Sequence, residues 1–260
     1  MSEGLVERTD EDGVVVLSLN NPSKRNALST PLVAELDAHL QNILADDSVR
    51  AVVVTGQGGT FSAGGDISVF ENLDSYSGYE FTKRGYHLLR QLETADKPII
   101  AAVDGYCLAG GLELALACDF IIASGDAKFG LAEIDLGLIA GWGGTVRLGR
   151  AVPIRMARQL VYTAARIDAA EAQRIGLVNE VVEGPAADRA IDVARLLASK
   201  PSFALKAAKT TLNNAADGAM EAALAIERSL CAALFGSEDV ARLSSEWISR
   251  SKKRTESVPT

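Results

Sequence analysis

At 260 residues the chain can bury a full hydrophobic core, and its 48% apolar and 23% charged composition excludes a disordered, collagen-like or disulfide-dependent chain. Its 34 acidic against 26 basic residues give a net charge of −8, a repulsive field for polyanions, so neither nucleic acid nor an anionic membrane face is an expected partner. Cys107, Cys118 and Cys231 form no CxxC and leave an odd count, which fits reduced thiols and excludes a zinc finger.

The opening MSEGLVERTDEDG lacks the basic and apolar regions of a secretory signal, and no apolar run approaches the ~18 residues of a spanning helix, so a cytoplasmic location is expected. Apolar β-branched runs predict strands at Val14–Leu19, Ala51–Thr55, Pro98–Val103, Asp119–Ala123 and Leu177–Val182. Most lack period-two alternation, which predicts burial on both faces. Between them, 31–44 places Leu32, Leu36, Leu40, Ile43 and Leu44 on one helical stripe, with Thr30 as the expected N-cap and Pro31 at the first helical position. A second helix is expected over 77–94, a third opening on an Asp168–Glu171 capping box, and a fourth over Ala186–Ser199 after Gly184-Pro185. Strand and helix alternate, so residues 1–200 read as an α/β domain. From Pro201 the strands cease. Helical segments at 201–215, 217–235 and 238–250 make residues 201–260 a separate helical region ending in the basic run 250–254. Its apolar positions, among them Leu224, Ile226, Leu230, Leu234 and Phe235, either pack on their own subunit or offer a surface to a partner.

The inventory narrows the chemistry. The two histidines, His39 and His87, fall inside helical patterns, and no G-x-S-x-G, H-E-x-x-H, P-loop or complete G-x-G-x-x-G is present. What remains is a pair of glycine-rich turns, each after a strand: 56–67 (GQGGTFSAGGDI) and 105–113 (GYCLAGGLE). Glycine lets another group approach the main-chain N–H, and two such turns facing each other would hold an oxyanion.

Four ordered motifs carry a resemblance: FSAGGDI (61–67), AGGLELALACD (109–119), FGLAEIDLGLI (129–139) and GGTVRL (143–148). Together with NPSKRNALS (21–29), they make the chain similar to the enoyl-CoA hydratase/isomerase, or crotonase, family from about Val14 to Val182. The resemblance implies a spiral of β-β-α turns with a C-terminal helical trimerisation region, giving a homotrimer or homohexamer. It implies an oxyanion hole from the N–H groups of Gly65 and Gly110. Coenzyme A is expected across Lys24, Arg25, Ala27, Leu28, Ala63, Asp66 and Ile67, as part of an acyl-CoA substrate and with no separate cofactor or metal. Hydratases of the family grip one water between two glutamates, which match Glu113 and Glu133. Simple isomerases keep only the second acid, and dienoyl isomerases carry Asp at the positions matching Glu113 and Gly141; neither pattern occurs here. The implied activity is hydration of a 2-enoyl-CoA, with isomerisation, decarboxylation, hydration of a cyclic or aromatic-derived acyl group, or a non-catalytic RNA-binding role as the alternatives.

Some positions depart from the family. Trp142 stands in a segment where many members read GLxPGAGGTQRL, and either walls the acyl pocket or serves the core or a subunit contact. The 241–250 segment replaces the usual EGxxAFxxKR, so the coenzyme A contacts of that segment are not expected; either Lys252 or Lys253 substitutes for them or, the favoured reading, the run is a plain basic tail. The 70–79 stretch is expected to be mobile and to shape substrate choice through Phe70, Tyr76 or Tyr79.

Overall fold

The computed structural model describes residues 4–67, 69 and 73–256. They divide into two compact units, with the break between Ser199 and Lys200. In the first, a six-stranded sheet has the order β1 (Val6–Glu11), β2 (Val14–Leu19), β3 (Ala51–Gly56), β4 (Ile99–Val103), β6 (Phe120–Ser124), β9 (Glu180–Val182). All its neighbouring strands pair parallel except the β1–β2 hairpin. A second sheet holds β5 (Tyr106–Leu108), β7 (Lys128–Gly130) and β8 (Ile167–Asp168).

The chain therefore winds as a spiral. β4 enters the large sheet, β5 the small one, and α3 (Gly110–Leu116) closes the turn; β6, β7 and α4 (Gly144–Ala151) repeat the step. One turn earlier, β3 is followed by an isolated bridge from Ser62 to Cys107 and then by α2 (Ser75–Thr94). α5 (Ile154–Thr163), α6 (Ala169–Arg174) and α7 (Ala186–Ala198) complete the unit.

Alternate side chains of β3 serve two cores. Val52 and Val54 join Leu32, Leu36, Leu40 and Ile43 of α1 (Thr30–Leu44) and Leu89 and Leu92 of α2. Ala51 and Val53 face the other way, onto Ala186, Ala190 and Ala194 of α7, whose spacing of four keeps one small-residue stripe against the sheet. Both faces are buried, as the continuous apolar runs predict.

Several boundaries differ from expectation for local reasons. α1 is capped by Ser29, whose Oγ accepts from Leu32 N–H at 3.4 Å, so Thr30 is already helical and Pro31 lies second. α2 starts two residues early because Asp74 and Ser77 form a reciprocal capping box. At α6, Asp168 does accept from Glu171 N–H at 2.9 Å, but the Glu171 carboxylate turns to Arg174 at 2.6 Å rather than closing a box. The last strand begins at Glu180 because Asn179 uses both its side-chain oxygen and its N–H on the backbone of Ile121.

The second unit contains α8 (Ser202–Asp217), α9 (Met220–Leu234) and α10 (Glu238–Glu256). α9 buries Ala223, while Leu224 and the Phe235 that follows it are exposed, as is Trp247 of α10. Among the described residues, no helix is long and apolar enough to cross a membrane.

Candidate active site

The two glycine-rich turns meet. Ser62 N–H donates to Tyr106 O at 2.8 Å and Leu108 N–H donates back to Ser62 O at 3.0 Å, which stitches the first turn along β5, within the second glycine-rich segment. Ser62 Oγ donates to Asn26 O and accepts from Gly64 N–H, so a buried hydroxyl shapes the bend. At Gly64 φ is +109°, and a Cβ there would lie 2.7 Å from the Ala109 methyl and 3.5 Å from Gly110 N. The backbones can approach this closely only without that side chain. The position a Cβ would take on Gly110 lies 3.4 Å from Gly65 N, so the two N–H groups named from the sequence fall side by side. Ala109, which precedes Gly110, has φ 48°, a conformation that costs a non-glycine residue about 1–3 kcal/mol and persists only where its surroundings impose it. Here its N–H is held by Gly130 O at 2.8 Å.

One turn into α3, Glu113 is 3% exposed. Its Oε1 accepts from the N–H groups of Trp142 and Gly144, both at 2.8 Å. A Cβ on Gly144 would stand 2.5 Å from Glu113 Cγ, so glycine is the residue that lets the carboxylate reach these donors. Burial pushes the Glu113 carboxyl up to about 7. The charge of Glu133 adds to the rise, and the two N–H donors and Arg147 oppose it. Glu133 opens a 3-10 turn, Glu133–Leu136, closed by Gly137 in the left-handed region. Burial raises its carboxyl too, and its Oε2 is buried with no hydrogen-bond partner among the described residues. A buried carboxylate oxygen with no partner among the described residues, coupled to a second raised carboxyl, is an arrangement that can hold and release a proton.

The residues expected to meet coenzyme A form one strip beside the turns. Lys24 Nζ pairs with Asp66 Oδ2 at 3.0 Å, Ala63 N–H donates to Arg25 O, and Leu28 N–H donates to Gly64 O. Arg25 lies 5.6 Å over the Tyr106 ring, Ala27 is half-buried between Asn26 and Leu28, and Ile67 is exposed. The organiser of this strip, Asn26, escaped the sequence reading. Fully buried at φ 54°, it accepts from Asn21 N–H and donates to Gln57 O and Thr60 O, tying the 21–28 loop to the first glycine turn. The available signal was an asparagine, a residue that tolerates the left-handed region, inside a turn-forming NPSKRN run.

The expected acyl-pocket residues separate. Trp142 is buried at 4% exposure, with its ring 5.6 Å from Phe81 and packed into the space left by Gly85 of α2. Tyr76 and Tyr79 are instead 75% and 63% exposed. Asp74 caps α2 ahead of them, and an α2 side chain that reaches Trp142 is Phe81, two residues beyond Tyr79. Phe70, and with it residues 71 and 72 of the stretch expected to be mobile, lies outside the described residues, as do the side chains of Lys252 and Lys253.

The family profile described as enoyl-CoA hydratase/isomerase matches residues 9–254. The chain is 41% identical over 231 residues to a short-chain-enoyl-CoA hydratase of Clostridium acetobutylicum, covering 88% of each. It is 44% identical over 241 residues to a probable enoyl-CoA hydratase of Rhizobium meliloti, covering 90% of each. The crystal structure of an enoyl-CoA hydratase from Bacillus anthracis superposes with a TM-score of 0.89 at 33% identity, covering 95% of this chain and 96% of that one. With a profile match across nearly its whole length and a shared fold, the chain belongs to the enoyl-CoA hydratase/isomerase family.

Proposed function

We propose that this enzyme adds water across the 2,3 double bond of a 2-enoyl-CoA thioester to give the 3-hydroxyacyl-CoA. The observation that carries the reading is a raised Glu113 carboxyl that feels the charge of a second raised carboxyl, Glu133, and stands one helical turn from Gly110, whose backbone lies against the N–H of Gly65. The thioester oxygen accepts from both N–H groups. As water adds to C3, electron density moves through C2 onto that oxygen, where prealigned donors stabilise it. One carboxylate takes the proton of the attacking water and the partner carboxyl delivers a proton to C2, so H and OH are added with no net change in the enzyme. A coupled pair of raised carboxyls can share one proton for this exchange. The strip of Lys24, Arg25, Ala27, Leu28, Ala63, Asp66 and Ile67 would carry the coenzyme A moiety, which belongs to the substrate, and the scheme requires no further cofactor.

Exposed Leu136, Leu138, Ile139 and Val146 in the first unit and Phe235 and Trp247 in the second support assembly with further copies of the chain, as a trimer or hexamer.

Hydration removes the conjugated thioester's ultraviolet absorbance. Glu113→Gln and Glu133→Gln are each expected to lower turnover by ~10²–10⁴-fold, and Gly110→Pro, which deletes one donor, by ~10²–10³-fold. Near-normal turnover in both glutamine variants would remove the acid–base assignment, and normal turnover in the proline variant the oxyanion assignment.

A further inference from the structure

Between α1 and α2 runs a groove of about 740 Å³, within the ~300–1,000 Å³ range of small-molecule sites. Val33 and Ala34 of α1 and Phe81 and Leu88 of α2 supply apolar lining, and Trp142 lines it as well. The opposite relations of Trp142 are with the candidate active site. Its Cζ3 edge lies 3.6 Å from where Gly110 would carry a Cβ, and its backbone N–H holds Glu113. The pyrrole side fills the place of a Gly85 side chain, 2.1–2.3 Å from where that Cβ would stand. The indole thus stands between the catalytic carbonyl site and the groove. The backbone that carries it is also held: Arg147 Nη1 donates to Trp142 O at 2.8 Å, and Arg147 Nη2 is anchored on Glu93 at 3.0 Å. A rigid, 4% exposed ring in this position is a wall.

We propose that Trp142 determines acyl length. Resting on the hydration reading above, the inference is that the indole ends the acyl chamber just beyond the reacting carbons, restricting the enzyme to short acyl groups, and that its removal joins the chamber to the α1–α2 groove. An acyl tail that continues past C3, on the side of the glutamates, would meet the indole of the residue whose main-chain N–H Glu113 accepts.

The test compares 2-butenoyl-CoA with 2-decenoyl-CoA in turnover, and butyryl-CoA with decanoyl-CoA in calorimetric binding, which needs no reaction. Wild type should favour the short member in both. Trp142→Ala should raise the long-to-short ratio of kcat/KM, and of affinity, by at least ~10-fold, the scale on which an apolar pocket discriminates methylenes. Because losing a buried indole weakens packing, Trp142→Phe is the second variant, with an intermediate shift expected. Adding Ala34→Phe to Trp142→Ala refills the groove and should restore the short-chain preference. Equal handling of both lengths by wild type, an unchanged ratio in the folded Trp142 variants, or a ratio left high after the groove is refilled would each overturn the proposal. A shifted binding ratio without hydration of either substrate would leave the partition standing and sink the reaction; hydration with an unshifted ratio would do the reverse.

Discussion

Glu113 and Glu133 bear the same side chain, yet the regions that present them differ in kind. Glu113 grows from a helix, sits at 3% exposure and spends one oxygen on two backbone donors from a segment about thirty residues further along. Glu133 grows from a single 3-10 turn, is half-buried, and keeps one buried oxygen without a partner among the described residues. Under the proposed hydration chemistry the difference teaches a division of labour: one carboxylate would be positioned before substrate arrives, and the other would retain hydrogen-bonding capacity for water or substrate. Both are raised by burial, but Glu113 also feels its neighbour's charge.

That contrast can be broken at the glycine beside each acid. At Gly144 an added methyl would lie 2.5 Å from Glu113 Cγ and 3.0 Å from its Oε1. Gly144→Ala should therefore push the carboxylate off its anchors and forfeit its acid–base contribution, a loss of ~10²–10⁴-fold in kcat/KM. Steady-state hydration kinetics check this, and a loss under about threefold would show that Glu113 does not depend on the Trp142 and Gly144 donors.

The asymmetry also has a pH signature in stability. A carboxyl that titrates near its ordinary 4.5 when unfolded and at about 7 when folded keeps its proton longer in the native state. Between those values the folded protein binds more protons than the unfolded one, so stability falls as pH rises through the window. The full effect above pH 7 is about 3 kcal/mol, at ~1.4 kcal/mol per unit. Glu113→Gln keeps an acceptor for both N–H groups and cannot ionise, so urea unfolding should find it more stable than wild type at pH 8 and equal near pH 4.5. Glu133→Gln should change the same profile less, since Glu133 is the less buried of the two. A larger effect at Glu133 would invert the comparison.

What the sequence displayed of all this follows from which interactions leave a mark on residue type. Strands β2, β3 and β4 were legible as unbroken apolar runs, because burial on both faces demands them. β1, read VERTDE, was not, since an edge strand exposed along most of its length needs no apolar pattern. β5, β7 and β8, two or three residues long, are too short for any periodicity. At the site, the glutamates and paired glycines were legible through ordered motifs. The donors to Glu113 were not, being main-chain N–H groups that any residue could offer; only the space demanded at Gly144 tied the choice to glycine. The Gly85–Trp142 pairing joins residues 57 positions apart and exists only once α2 is docked.

The mildest test lies beside Glu133. Gly137 ends the 3-10 turn at φ +70°, and an added Cβ would have nothing within 4 Å. Unlike Gly144, it is glycine for its backbone conformation and not for space. Gly137→Ala should thus cost about 1 kcal/mol of stability through left-handed strain while leaving Glu133 and turnover nearly untouched. Chemical denaturation and steady-state kinetics on the same preparation separate the two quantities. If the alanine variant keeps its stability but loses activity, the turn's exact path governs the second carboxylate as tightly as the backbone donors govern the first, and the two regions are built alike after all.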